Sequence, residues 1–167
     1  MSIEKYKPIE ISGQFLLAGF SIYLIEIIKE DEKWFYVGMT GDNHYQSARS
    51  AFHRLAGHLE LNPKSTQNQT WKYLKQKAKI EEIDLHKCLI KMYHFPIEGF
   101  NKTDEYDSYK EKQQAVRQLE SKLIYDFKPS LLNETKGKDC KNLDDDFNII
   151  YQEIKKIIFS PLNTEGV

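Results

Sequence analysis

Between residues 21 and 38, apolar positions fall into two short runs separated by the charged tetrapeptide Glu30-Asp31-Glu32-Lys33. The first run, 21–29, is rich in β-branched and aromatic side chains; the second, 34–38, reads Trp-Phe-Tyr-Val-Gly. Together they predict a β-hairpin with the charges at its turn. Gly38, Thr40, Gly41, Asp42 and Asn43 then read as a loop with capping residues. From 45 to 60, Ala48, Ala51, Phe52, Leu55 and Leu59 recur at helical spacing, which predicts a core-facing helix. Asn62-Pro63 marks a loop over 61–69, after which Thr70 is a candidate cap for a basic helix built on Trp71, Leu74 and Ala78, its lysines outward.

Residues 83–95 have strand composition around Leu85, Cys88, Ile90 and Met92, and one slip in the alternation reads as a bulge. An acidic, aperiodic stretch over 96–108 predicts a loop. Over 109–127, Ala115, Val116, Leu119, Leu123, Ile124 and Phe127 mark a second long helix that must end before Pro129. A linker near 136–141 leads to a last helix over 143–159, carried by Phe147, Ile150, Ile154 and Ile158, with aspartates in its first turn where the helix dipole favours them. Three short strands among several helices predict an α+β domain. The chain divides into an extension at 1–18, a domain at 19–135, and a linker and helix at 136–167 packed on that domain.

Composition narrows this picture. At 167 residues, 40% hydrophobic and 13% aromatic, the chain has the size and apolar content of one packed domain. No run approaches the ~20 apolar residues of a membrane span, and the start lacks a signal-peptide core, so a cytoplasmic protein without a membrane partner is expected. Cys88 and Cys140 are the only cysteines and form no CxxC pair, which argues against a zinc site or a disulfide framework.

The net charge of −1 argues against a nucleic-acid partner only on average. Residues 45–79 hold seven bases against one acid, whereas 139–167 hold six acids against three lysines. A basic region beside an acidic end is compatible with one phosphate-facing side, for which Arg49, Lys64, Lys72, Lys75 and Lys79 are the candidate contacts. A solvated lysine face is the plainer reading of the same run.

The chemistry-bearing positions are individually ordinary. Tyr23 and Tyr36 each suit a core tyrosine with its hydroxyl satisfied at the sheet edge. Arg54 and His58, at i and i+4, share a helix face and can reach one ligand; a guanidinium fork matches phosphate oxygens and an imidazole exchanges protons near neutral pH. His53 points off that face. Glu120 borders a buried stripe and needs either a cationic side chain or a divalent ion such as Mg²⁺. Asn133 alone could simply fix a turn.

Taken in order, Ser21-Ile22-Tyr23, Tyr36-Val37-Gly38 with Thr40, Arg54 with His58, Glu120, and Asn133 after Lys128-Pro129 resemble the GIY-YIG nuclease family over residues 20–133. Ser21 stands where that pattern has glycine, and Val37 where it has isoleucine. The resemblance implies a small, mostly antiparallel three-stranded sheet flanked by helices, with Ser21, Gly38 and Thr40 as backbone elements of the motifs. It implies that Glu120 holds a single Mg²⁺ or Mn²⁺, that Tyr23 assists or performs deprotonation of the attacking water and that Tyr36 positions that water. Arg54 would steady the phosphate, His58 would orient water or phosphate, and Asn133 would brace the Glu120 region.

A free phenol is only ~0.1% ionised at pH 7, so a Tyr23 base needs strong positive fields; a metal-activated water with Tyr23 as relay is the alternative left open. The implied activity is endonucleolytic cleavage of DNA, with RNA left open, by a restriction or defence-type enzyme. One active site that must cut two strands favours a homodimer through the final helix. Two other readings stand beside it: a nucleic-acid-binding module without turnover, and an unrelated α+β protein in which Glu120 lies far from Tyr23 and Arg54.

Overall fold

The computed structural model describes residues 9–41, 48–62, 64–97, 105–135, 137–140 and 143–161. Asp42, Asn43, Tyr45, Pro63, most of the 96–108 loop and parts of the 136–141 linker lie outside the described residues. Strands β1 (Ser21–Lys29) and β2 (Glu32–Met39) form the expected hairpin, and β3 (Leu89–Pro96) pairs with the other edge of β1. The sheet is antiparallel throughout, in the order β2-β1-β3. Helices α1 (Ala51–His58), α2 (Gln69–Tyr73), α3 (Tyr106–Phe127) and α4 (Asp145–Phe159) complete the α+β fold.

β1 runs through the middle, so both of its faces are covered and its residues are buried from Ser21 to Ile27. Alternation sorts its side chains into two cores. Ile22 and Leu24 join Phe35, Val37 and the buried stripes of α3 and α4, while Tyr23, Ile25 and Ile27 join Tyr36, Trp71, Leu74 and Ile80 beneath α1 and α2. The two phenols share the second face because Tyr23 stands opposite Gly38 and Tyr36 opposite Ile25.

Several local expectations shift. The third strand starts at Leu89, not near 83, because Glu82–Lys87 coil into a 3-10 helix that Glu81 and Asp84 close with reciprocal caps. The slip in alternation is this helix-to-strand boundary and not a bulge. Asn68 precedes α2, so Thr70 lies inside the helix and not at its cap, and α2 continues as a π turn over Leu74–Ala78 that Lys79 ends in the left-handed conformation. α1 begins at Ala51, where Ser50 accepts the His53 N–H. Its Phe52 faces outward toward the N-terminal segment and is not part of the core, whereas Phe15 of that segment packs on the His94 ring of β3.

The outer edge of β2 is sealed by the chain after α3. Leu132 N–H donates to the Phe35 carbonyl, and the Asn133 amide accepts from Val37 N–H at 3.0 Å and donates to Val37 O at 2.8 Å. One side chain thus replaces a ladder pair on an edge strand. Lys77 of the π turn donates to the Leu132 and Asn133 carbonyls, tying α2 to the same segment. Among the described residues no helix is long and apolar enough to cross a membrane.

Replacing Asn133 with Ala strands both Val37 groups without their partner. Urea denaturation is expected to show a loss of roughly 2–4 kcal/mol; a loss below the scatter of surface substitutions would contradict the clamp.

Candidate active site

Tyr23, Tyr36, Arg54, His58 and Glu120 meet at the end of the sheet where β1 begins and β2 finishes. The seat is Gly38. A Cβ at that position would fall within the Tyr23 phenol ring, so only glycine lets the ring lie on β2. Tyr23 is fully buried, and its Oη lies 2.6 Å from Nε2 of His58 while also taking a hydrogen bond from Arg54. Tyr36, two residues before Gly38, packs its ring, tilted by 54°, against the same imidazole at 4.8 Å and donates its hydroxyl hydrogen to Gln69 Oε1 at 3.0 Å.

Arg54 and His58 arrive together because they are one turn apart on α1, and His58, the last residue of that helix, is only 3% exposed. His53 turns away, against Arg49. Glu120 comes from the opposite side of the sheet on α3. Its carboxylate accepts the Met39 N–H, one residue past Gly38, and has Arg117 and Arg54 as neighbouring cations. Ser21 and Thr40 lock the strand ends: Ser21 N–H donates to Thr40 Oγ1 at 2.8 Å, and the two hydroxyls are 3.2 Å apart. Asn133 is buried behind the site, with its hydrogen bonds on Val37 between Tyr36 and Gly38.

Burial dominates the electrostatics. It pushes the Tyr23 phenol up to about 12 despite the opposing charge and hydrogen bond of Arg54, with Glu120 adding to the rise. It raises Tyr36 further, reinforced by Tyr23 and Glu120. Burial, then the Arg54 charge, lowers His58 to about 3, so its ring is neutral at physiological pH. Burial also raises Glu120 to about 7, against the pull of Arg117 and Arg54. For Arg54 itself burial opposes the charge, but Tyr23, Tyr36 and Glu120 outweigh it and hold its pKa above the ordinary value.

Among the described residues two buried polar atoms here have no partner, Nε of Arg54 and Nδ1 of His58. Buried polar groups are rarely left so, and a cluster of them marks where a ligand can supply the missing bonds. Among the described residues no three His, Cys, Asp or Glu side chains come together as a metal cage. The donor set at Glu120 is one hard carboxylate with the Arg54 and Arg117 charges nearby. That suits a cation which keeps most of its shell as water and phosphate oxygen, the habit of Mg²⁺.

The expected phosphate-facing bases divide. Lys64 and Lys72 are exposed, Lys75 pairs with Glu81 at 3.0 Å, and Lys79 donates to the Gln76 carbonyl. Two residues at the site were not singled out from sequence. Arg117, one turn before Glu120, carried a signal in its i, i+3 spacing to that acid; Gln69 carried none, since its partner Tyr36 lies 33 positions away. Comparison of the chain with family models, curated proteins and solved structures finds no match.

The raised carboxyl of Glu120 makes stability depend on pH. Below its ordinary value of 4.5 it is neutral folded or unfolded, and stability falls as pH climbs from there to about 7, then levels off. Glu120→Gln removes that penalty, so above pH 7 the variant is expected to exceed the wild type by roughly 1–3 kcal/mol in urea denaturation. The two curves should converge near pH 4; a variant less stable at every pH would contradict the assignment.

Proposed function

We propose that this chain is a divalent-metal-dependent endonuclease that hydrolyses phosphodiester bonds in DNA, of the GIY-YIG type that its residue order resembles. The observation that carries the reading is the convergence of two phenols, an imidazole, a guanidinium and a carboxylate from β1, β2, α1 and α3. Among the described residues, that convergence leaves Arg54 Nε and His58 Nδ1 buried and unpartnered. A phosphodiester brings the anionic oxygens these groups lack.

In this reading each residue has one task. Arg54 steadies the scissile phosphate and meets the charge that builds on its oxygens. Arg54 also donates to Tyr23 Oη, so the phenol's own hydrogen is directed to Nε2 of neutral His58, which leaves Oη to take a hydrogen bond from the attacking water as a relay. Tyr36 holds that water in line. Glu120 is the carboxylate that would hold the metal, and it does so only when ionised. When bound, the metal supplies Lewis-acid stabilisation of the phosphate and favours deprotonation of water. Lys64 and Lys72 serve the duplex backbone flanking the site.

One observation favours a second reading, a DNA-binding module without turnover: the Tyr23 phenol is raised to about 12, so the protein alone does not prepare a base.

Supercoiled plasmid separates the two. Nicking is expected with Mg²⁺ or Mn²⁺ and none with chelator. Tyr23→Phe and Arg54→Ala should slow it by about a hundredfold or more, with Glu120→Ala at background. At subsaturating metal the rate should climb with pH to about 7 and then flatten, following Glu120 ionisation. Cleavage indifferent to both Tyr23→Phe and Glu120→Ala would overturn the nuclease reading, and binding without nicking would establish the second.

A further inference from the structure

We propose that Gln69 is a positioning residue for Tyr36: it takes the phenolic hydrogen and thereby fixes Tyr36 Oη as a hydrogen-bond acceptor toward the reacting water. The inference rests on the nuclease reading. Its starting point is the single hydrogen of a phenol. That hydrogen goes to Gln69 Oε1 at 3.0 Å, so anything else that meets Tyr36 Oη must donate to it. A water donating one hydrogen there is turned with its lone pairs away from the phenol, which is the orientation that in-line attack requires.

The surroundings make this geometry rigid. Tyr36 is 5% exposed, its ring held between the His58 imidazole at 4.8 Å and the Tyr73 ring at 6.4 Å. Gln69 is the first residue of α2, and its N–H donates to the Gln67 carbonyl at 2.8 Å. Gln67 in turn packs on α1 at Gly57, where a Cβ would come within 2.6 Å of the Gln67 side-chain oxygen. Gly57 immediately precedes His58. The loop that delivers Gln69 is therefore docked on the helix that delivers the imidazole, and Tyr36 closes the ring between them.

Gln69 is itself exposed, on the basic helix, with its amide nitrogen outside the Tyr36 bond. A simple docking role would make it a charge-sensitive DNA contact, and a positioning role makes it sensitive to acceptor capacity. Three substitutions separate these. Glu keeps the acceptor and adds a negative charge, Lys offers only donors and adds a positive one, and Leu offers neither.

The test is cleavage of duplex DNA with Mg²⁺ by the full chain, with kcat and KM read separately. Gln69→Leu and Gln69→Lys are expected to lower kcat by about tenfold, whereas Gln69→Glu keeps kcat within about threefold and raises KM. In a Tyr36→Phe background, Gln69→Leu should cost nothing further, since its effect runs through the phenol. Thermal unfolding should show all three folded at the assay temperature, with Gln69→Leu and Gln69→Lys losing at most the one hydrogen bond that Tyr36 gives up.

A Gln69→Leu enzyme with wild-type kcat, or the order Lys above Glu at saturating DNA, would overturn the inference while leaving the nuclease reading intact. A wild-type chain that cuts nothing removes both.

Discussion

The phenol of Tyr23 lying on the bare backbone of Gly38 is the constraint from which the rest of the site is built. Four consecutive residues of β2 each perform a separate task. Tyr36 packs against the imidazole, Val37 is clamped by the Asn133 amide, Gly38 seats the Tyr23 ring, and Met39 N–H anchors the Glu120 carboxylate. A strand has fixed alternation, so a displacement of β2 by one residue would move all four at once. The clamp at Val37 therefore acts on the site without touching it, and Lys77 extends the same restraint to the basic helix.

The site is held at a cost to stability. A carboxyl raised to about 7, and a guanidinium and imidazole whose nitrogens find no partner among the described residues, are each unfavourable in an apolar surround. The two apolar cores on either face of the sheet offset this strain, and α3, with seven buried side chains along 22 residues, bridges core and site. A buried carboxyl with a raised pKa beside polar groups that lack partners is a physical mark of a candidate functional site. The same features in a site without ligands would only weaken the fold.

Much of the fold is legible in the sequence because local periodicity encodes it: the hairpin, α3 and α4 follow from residue patterns a few positions long. The 3-10 helix at Glu82–Lys87 escapes that reading because Leu85 and Cys88 carry strand composition while the deciding caps are the acidic pair Glu81 and Asp84. The π turn after α2 likewise leaves no mark in a 3.6-residue pattern. For the site, spacing alone places Arg54 with His58. The partners of the remaining groups are set by tertiary contact: Asn133 meets Val37 across 96 positions and Tyr23 meets His58 across 35. Gln69 is invisible on these grounds, as a lone glutamine in a polar loop has no periodicity to betray it.

The central claim is that Glu120 can hold a divalent ion beside Tyr23, Tyr36 and His58. Paramagnetic relaxation reads this without reference to cleavage: Mn²⁺ is titrated into protein carrying ¹³C-labelled tyrosine and histidine, with signals assigned by substitution. The account predicts that broadening at low Mn²⁺ is strongest for those three residues and falls off with distance from them, and that it is lost in Glu120→Gln. Broadening centred elsewhere, or unchanged by that substitution, would contradict it.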